Sequence, residues 1–353
     1  MSMSESTSQT PFPMSSVASA AGIATFDSLP LDGGGALSPV RLAWSRYGPE
    51  PAQARSVVLL LHGISGSHHA LPPASGPAYP DAGWASAWLG PDALLDTRQT
   101  CVLVPNALGS CFGSSGPADS PAASATSATS AADFPPVSIA DTVRLQGLWL
   151  RSLGVARLDA VLGFSYGGYQ AFQWAVAGPV PAARVVVLAS APRGNGTAQD
   201  VTQLRQLAAA LDAGVPAARE AWVAMRRATL QRYGYAAWLA DRQPHDMNAV
   251  EARLQDEAEA WAARFSPWSL AALRDAARRF DASVALAAAP MPVHWLRCTS
   301  DVLFPPDDDA AAAAARADYP ASVVRTTVHG RYGHLSPLLE AEAWQAPLRL
   351  ALR

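Results

Sequence analysis

Two apolar segments, RLDAVLGFS (157–165) and ARVVVLASAP (183–192), flank a third, YGGYQAFQWAVA (166–177), whose apolar residues recur at helical spacing. Strand, helix and strand in immediate succession leave little freedom. The two strands run parallel and the helix crosses between them in the right-handed sense. A chain built around such a unit folds as helices layered on a mostly parallel sheet.

Further segments extend that sheet in both directions. SVVLLLHG (56–63), CVLVPNA (101–107) and Val293–Cys298 are short, largely apolar runs, as strands buried on both faces read. Strand-like runs also occur around Thr25–Leu29 and Val40–Tyr47, and ASVVRTTVHG (321–330) is a last strand before a final helix in SPLLEAEAWQAPLRLAL (336–352). Ile139, Val143, Leu148 and Leu150 carry a helix that Gly154 stops. Residues 197–281 break the rhythm: Ala-, Leu- and Arg-rich helices follow one another with no strand. The expected fold is therefore one doubly wound α/β domain, 23–196 and 282–353, interrupted by a helical insertion at 197–281. Residues 1–22 are Ser-rich and read as a disordered tail, and 117–134 as a low-complexity loop. An insertion in that position can form a lid over the strand ends where open parallel sheets bind ligands.

Composition narrows the function. The net charge of −3 gives no electrostatic case for nucleic acid. All the basic residues counted are arginine; no lysine is present, so no lysine serves as base, Schiff-base former or phosphate-loop cation. Three scattered cysteines, Cys101, Cys111 and Cys298, argue against both a disulfide framework and a zinc site. The first forty residues lack the charged start of a secretory signal, and no apolar run reaches membrane-spanning length. A cytoplasmic protein without a membrane span is expected.

The turn between the first strand and the helix reads Gly163-Phe164-Ser165-Tyr166-Gly167, a G-x-S-x-G pattern in the strand–turn–helix context that exposes a serine nucleophile. Alone the pattern is weak, since a plain turn also fits it. A serine hydroxyl needs a base and an orienting acid, which follow it in the order Asp, then His. Four histidines follow Ser165. His245 lies in the insertion, His294 within a strand and His329 at a strand end; His334 lies in the Gly-containing loop before the final helix. His334 is the expected base. Asp301, just past the strand VHWLRC, is the expected acid, although a turn aspartate is the bland alternative. The run Asp307 to Asp309 reads as a solvated helix start. The backbone N–H groups of Tyr166 and Ile64 are the expected oxyanion donors. His62, His68 and His69 do not suggest a metal, because no carboxylate sits at ligand spacing.

With these residues in view, the sequence resembles the homoserine O-acetyltransferase family of α/β-hydrolase-fold enzymes. The likeness lies in LHGISGSHHA, GWASAWLGPDALLDT, NALGSCFGSSGP, GFSYGG, SDVLFPP and YGHLSPLLE. It implies the α/β-hydrolase fold with a helical lid, and Ser165, Asp301 and His334 as triad. It also implies acyl-CoA as co-substrate with no bound cofactor, the hydroxyl of homoserine or serine as acceptor, and a homodimer formed through the lid. Arg205 lies near where the family places an arginine that grips the acceptor's carboxylate. Three departures stand out: Tyr166 where Met is usual, Leu335 where the family has an Asp for the acceptor's amino group, and no recognisable Tyr-Gln-Gly block in the lid. The lid residues Glu257 and Glu259 are the candidates to replace that Asp. Acyl transfer and ester or thioester hydrolysis are both compatible with such a triad; a non-catalytic binding protein fits an intact Ser, Asp and His poorly.

Overall fold

A computed structural model describes residues 19–72, 83–119, 130–306 and 319–353. Eight strands form one sheet: β1 (Ser19–Phe26), β2 (Val40–Tyr47), β3 (Ser56–Leu61), β4 (Thr100–Pro105), β5 (Ala160–Phe164), β6 (Val185–Leu188), β7 (Val293–Cys298) and β8 (Val323–Val328). Their order across the sheet is β1-β2-β4-β3-β5-β6-β7-β8. β2 is antiparallel to both β1 and β4, and every later pairing is parallel. Strand order reverses beside β3, so the β3 and β5 ends flank the crevice where open α/β sheets place their ligands.

Alternation within the strands divides the core in two. Leu59, Leu61, Leu103, Val161, Val185 and Val187 join one apolar cluster with Trp149, Phe172 and Trp174 from α1 (Ile139–Ser152) and α2 (Tyr166–Ala177). Val58, Leu60, Val102, Val104, Leu162 and Val186 face the other side, against Trp88 and Trp344. A period-two side-chain pattern with both faces apolar is what a covered parallel sheet requires. Helix α1 starts at a reciprocal cap: Ser138 Oγ accepts from the Asp141 amide at 2.9 Å, and Asp141 Oδ2 accepts from the Ser138 amide at 2.7 Å.

Between β6 and β7 stand five helices: α3 (Ala198–Asp212), α4 (Pro216–Arg232), α5 (Tyr235–Arg242), α6 (Met247–Ala262) and α7 (Pro267–Arg278). α3 packs on α7 and α4 on α6. After β8 come α8 (Ser336–Leu339) and α9 (Ala341–Ala351). No helix among the described residues is long and apolar enough to cross a membrane.

One boundary differs from the sequence reading. The N-terminal segment becomes a strand at Ser19, inside the stretch read as a tail, because residues 19–26 pair in full register with β2 from Tyr47 back to Val40. Ladder hydrogen bonds hold a Ser/Ala/Gly-rich run that has little apolar surface of its own. Residues 1–18, most of the low-complexity loop and the Asp307–Asp309 run lie outside the described residues.

Candidate active site

Ser165 occupies the sharp turn between β5 and α2 with φ 55°, ψ −114°, a backbone conformation that costs a non-glycine residue energy. Crowding on either side explains the two flanking glycines. A Cβ at Gly163 would lie 2.1 Å from the Gly167 carbonyl oxygen, and one at Gly167 would lie 2.1 Å from the Leu61 carbonyl oxygen. The Ser165 amide donates to the Leu188 carbonyl at 3.0 Å, tying the turn to β6.

His334 and Asp301 complete a line from that serine. The His334 Nε2 to Ser165 Oγ distance is 2.8 Å, and His334 Nδ1 lies 2.9 Å from Asp301 Oδ2. With the imidazole proton on Nδ1, that nitrogen donates to Asp301 and Nε2 accepts from the serine hydroxyl. Asp301 Oδ1 accepts from the amides of Leu303 at 2.8 Å and Phe304 at 3.2 Å. Burial pushes the Asp301 carboxyl up, but the His334 hydrogen bond and charge and these two amides outweigh it, leaving the group below the usual carboxylate range. The imidazole is held among three rings, Phe164, Tyr233 and Phe304, with centroids 5.2, 4.8 and 5.5 Å away.

The loop carrying His334 is pinned by several groups. Glu340 Oε2 accepts from the Arg331 amide (2.8 Å), the Tyr332 amide (3.2 Å) and the Ser336 hydroxyl (2.5 Å). The Gly333 amide donates to Ser300 Oγ at 3.0 Å, and the Leu335 amide to the Tyr233 carbonyl at 3.0 Å. The last bond comes from the end of α4, so the helical insertion sits directly on the loop that holds the imidazole.

The loop after β3 closes over the serine from the other side. A Cβ at Gly63 would lie 3.6 Å from Ser165 Cβ. His62 fixes this loop: its Nδ1 donates to the Gly63 carbonyl at 2.8 Å and its Nε2 accepts from the Ala107 amide at 3.1 Å. Ile64 and Tyr166 both line the cavity at Ser165. Tyr166 is the first residue of α2, so its amide has no intrahelical acceptor. Among the described residues no three His, Cys, Asp or Glu side chains come together as a metal site would require. The three cysteines are free and buried.

The cavity has a volume of about 710 Å³, in the range of small-molecule sites. Its floor is the Ser165 turn and its walls are α3, α4, α6 and α7. Arg226 stands over the Trp261 ring at 4.7 Å and donates to Ser65 Oγ at 3.1 Å. Arg232 and Arg274 line the same space, with Asp200 the one acidic residue there among those described.

Three sequence expectations fail here. Arg205 does not reach the cavity. Asp200, Gln203, Leu204 and Leu207 form the cavity-facing stripe of α3, and Arg205 is turned away from it by the helical pitch and is exposed. Leu335 does not line the cavity either; its side chain packs with the apolar cluster on the far face of the sheet. Nor do Glu257 and Glu259: Glu257 pairs with Arg253, and Glu259 accepts from Gln255 in a shallow outer groove. The sequence reading missed Arg226, Arg232, Tyr233 and Arg274. Met225, Arg226, Thr229, Arg232 and Tyr233 recur at helical spacing, but periodicity alone does not say which face of a lid helix meets the cavity.

This geometry places a serine, an imidazole and a carboxylate in line beneath a lidded cavity. Residues 56–340 match the family described as alpha/beta hydrolase fold, and the chain belongs to that family. Within it, the chain is similar to homoserine O-acetyltransferases. It is 38% identical over 164 residues to that of Thermobifida fusca, covering 46% of this chain and 42% of the relative. It is 40% identical over 171 residues to that of Trichlorobacter lovleyi, covering 48% and 46%. The match thus spans under half the length of these curated relatives. Among solved structures, homoserine O-acetyltransferase from Bacillus anthracis superposes with TM-score 0.78 at 18% identity, over 95% of this chain and 98% of that one. Esterase E22 superposes with TM-score 0.74 at 21% identity, over 95% and 100%. A variant of esterase E22 carrying one Leu-to-Asp substitution superposes equally well. At such identities the likeness speaks for the fold alone.

Proposed function

We propose that this protein is an acyltransferase that carries the acyl group on Ser165 and delivers it to a small alcohol, with an acyl-CoA as donor. The observation that carries this reading is the continuous Ser165–His334–Asp301 hydrogen-bonded line at the floor of a cavity walled by the inserted helices. The similarity to homoserine O-acetyltransferases supports transfer rather than another acyl chemistry.

In the first half-reaction His334 Nε2 takes the Ser165 proton as the oxygen attacks the thioester carbonyl. The Ile64 and Tyr166 amides stabilise the tetrahedral oxyanion, and the thiol leaves with the proton from His334. In the second, His334 deprotonates the acceptor hydroxyl, which attacks the acyl-serine. Asp301 keeps the proton on Nδ1 and stabilises the imidazolium that forms. No protein group besides these need change protonation.

Hydrolysis by the same acyl-enzyme is the second reading. Among the described residues lining the cavity the one carboxylate, Asp200, caps α3, so none of them is placed to hold an acceptor's amino group, and this favours it. The test is CoA release from acetyl-CoA with and without alcohols. Release that rises with alcohol concentration in ping-pong kinetics supports transfer; an unchanged rate in buffer alone supports hydrolysis.

A further inference from the structure

The cavity over Ser165 has two kinds of wall. Its exposed polar residues gather at the start of α3, with Asn195, Thr197, Asp200 and Gln203, and at the end of α4, with Arg232. The Thr197 amide and hydroxyl and, from α7, the Arg274 charge hold the Asp200 carboxyl below the usual carboxylate range, so these groups answer one another at the rim. Deeper polar groups are also taken. Arg226 is held by Ser65 and the Trp261 ring, and the Thr229 hydroxyl donates to the Met225 carbonyl at 2.8 Å.

Among the described residues, the lining behind that rim is mainly apolar. Helix α3 turns Val201, Leu204 and Leu207 to the cavity, and α7, packed against it, turns Leu270 and Ala277. Leu204, Leu270 and Ala277 are buried and belong to the main apolar cluster, together with Tyr166 and Tyr169 at the start of α2. This wall is therefore continuous with the protein core. Val201 and Leu207 stand about 9 Å apart along the axis of α3, which is the reach of an extended chain of about six carbons. An acetyl group on Ser165 has a single methyl to set against such a surface and leaves the rest of it facing water. A longer chain laid along it removes apolar area from both partners, worth about fourfold in affinity for each methylene buried.

We propose that the apolar wall formed by α3 and α7 is an acyl-chain site, and that the acyl group carried by Ser165 is an aliphatic chain of about six carbons, not acetyl. This rests on the reading of Ser165 as the acyl-carrying nucleophile, and it names the acyl class of that site.

The test is a series of p-nitrophenyl esters, acetate, butyrate and hexanoate, which carry no CoA arm to fill the cavity in the chain's place. Ser165 Oγ forms the new ester bond, p-nitrophenolate leaves, and kcat/KM reports that step once the background rate of Ser165→Ala is subtracted. It should rise from acetate to hexanoate by about tenfold or more, as partial burial of the added methylenes requires. Leu204→Trp and, separately, Leu270→Phe fill the site, and in each the hexanoate to acetate ratio should fall towards one. Because it is a ratio within one protein, loss of folded material does not mimic it. A flat or falling kcat/KM along the wild-type series overturns the proposal, and so does a ratio that neither filling variant changes. If no ester is turned over, or Ser165→Ala keeps the wild-type rate, the reading of Ser165 has failed, and binding then decides the acyl class. Methyl hexanoate should bind the Ser165→Ala protein about tenfold more tightly than methyl acetate in calorimetry, and adding Leu204→Trp should erase that difference. Equal affinities, or a difference that Leu204→Trp leaves intact, overturn the proposal.

Discussion

The Tyr233 carbonyl, at the end of α4, accepts the Leu335 amide at 3.0 Å, so a residue of the helical insertion holds the peptide next to His334. The neighbouring residue makes that contact close. Gly234 has φ 95°, and a Cβ there would lie 2.2 Å from the Tyr332 carbonyl oxygen. Gly234→Ala should therefore push α4 off the loop of the base. Because the imidazole then loses its alignment with Ser165, turnover of p-nitrophenyl acetate should fall by about ten- to a hundredfold. An unchanged rate would show that the loop holds its place without the insertion.

Ser165→Ala should reduce turnover by about three orders of magnitude or more while the protein stays folded, since the three groups act as a unit. Asp301→Asn should be nearly as damaging, because an amide in place of the carboxylate no longer fixes the imidazole proton on Nδ1. Circular dichroism beside the ester assay separates both effects from unfolding. Retention of wild-type turnover by either variant would remove that residue from the chemistry.

Glu340 gathers three donors on one oxygen, and Trp344 Nε1 donates to the same Ser336 hydroxyl at 2.9 Å. Glu340→Ala leaves two loop amides and a hydroxyl without their acceptor. It should cost about 1–3 kcal/mol in urea unfolding and lower turnover as His334 loosens. Glu340→Gln retains an acceptor oxygen and should recover most of both. Equal losses in the two variants would mean that the negative charge matters and the acceptor does not.

His68 offers a pH test of stability. Burial, helped by the neighbouring His69 and His62, pushes its imidazole from the ordinary value down to about 3. The unfolded chain therefore takes up a proton at His68 near pH 6.5 while the folded protein refuses it until near pH 3. Stability from this group is complete above the unfolded value and is lost as pH falls through the interval. The melting temperature should drop by several degrees between about pH 7 and about pH 5, and His68→Gln should flatten that slope. A wild-type melting temperature constant over the interval would contradict the burial argument.

The parts of the site legible in the sequence are those fixed by local rules. Ser165 was legible because a sharp strand-to-helix turn needs glycine on both sides, and the clashes at Gly163 and Gly167 show why. His334 and Asp301 were legible because they follow strands whose ends converge on one edge of a parallel sheet. Arg205 was misplaced because a rotation of one residue along α3 carries a side chain from the cavity to solvent, and no local pattern fixes that rotation. Leu335 illustrates the same limit: adjacency to His334 in the chain does not bring its side chain to the cavity, since neighbours in a tight turn diverge. Arg232 and Arg274 come from different lid helices, and only tertiary packing brings them to one space. The pairing of Ser19–Phe26 with β2 is likewise invisible locally, because the ladder bonds that fix its register leave no pattern in the sequence.

The serine and its base are 169 residues apart in the chain, with the whole helical insertion between them. During synthesis β6, buried along its whole length in the finished fold, is made about a hundred residues before its neighbour β7. Until then the growing sheet ends in an open apolar edge beside a strained turn, a state prone to pairing with other chains. On the proposed function, Ser165 is thus in place early and has no base or acid until the last strands bring Asp301 and His334. A chain cut short by translation or proteolysis before residue 334 carries the serine but not the means to use it.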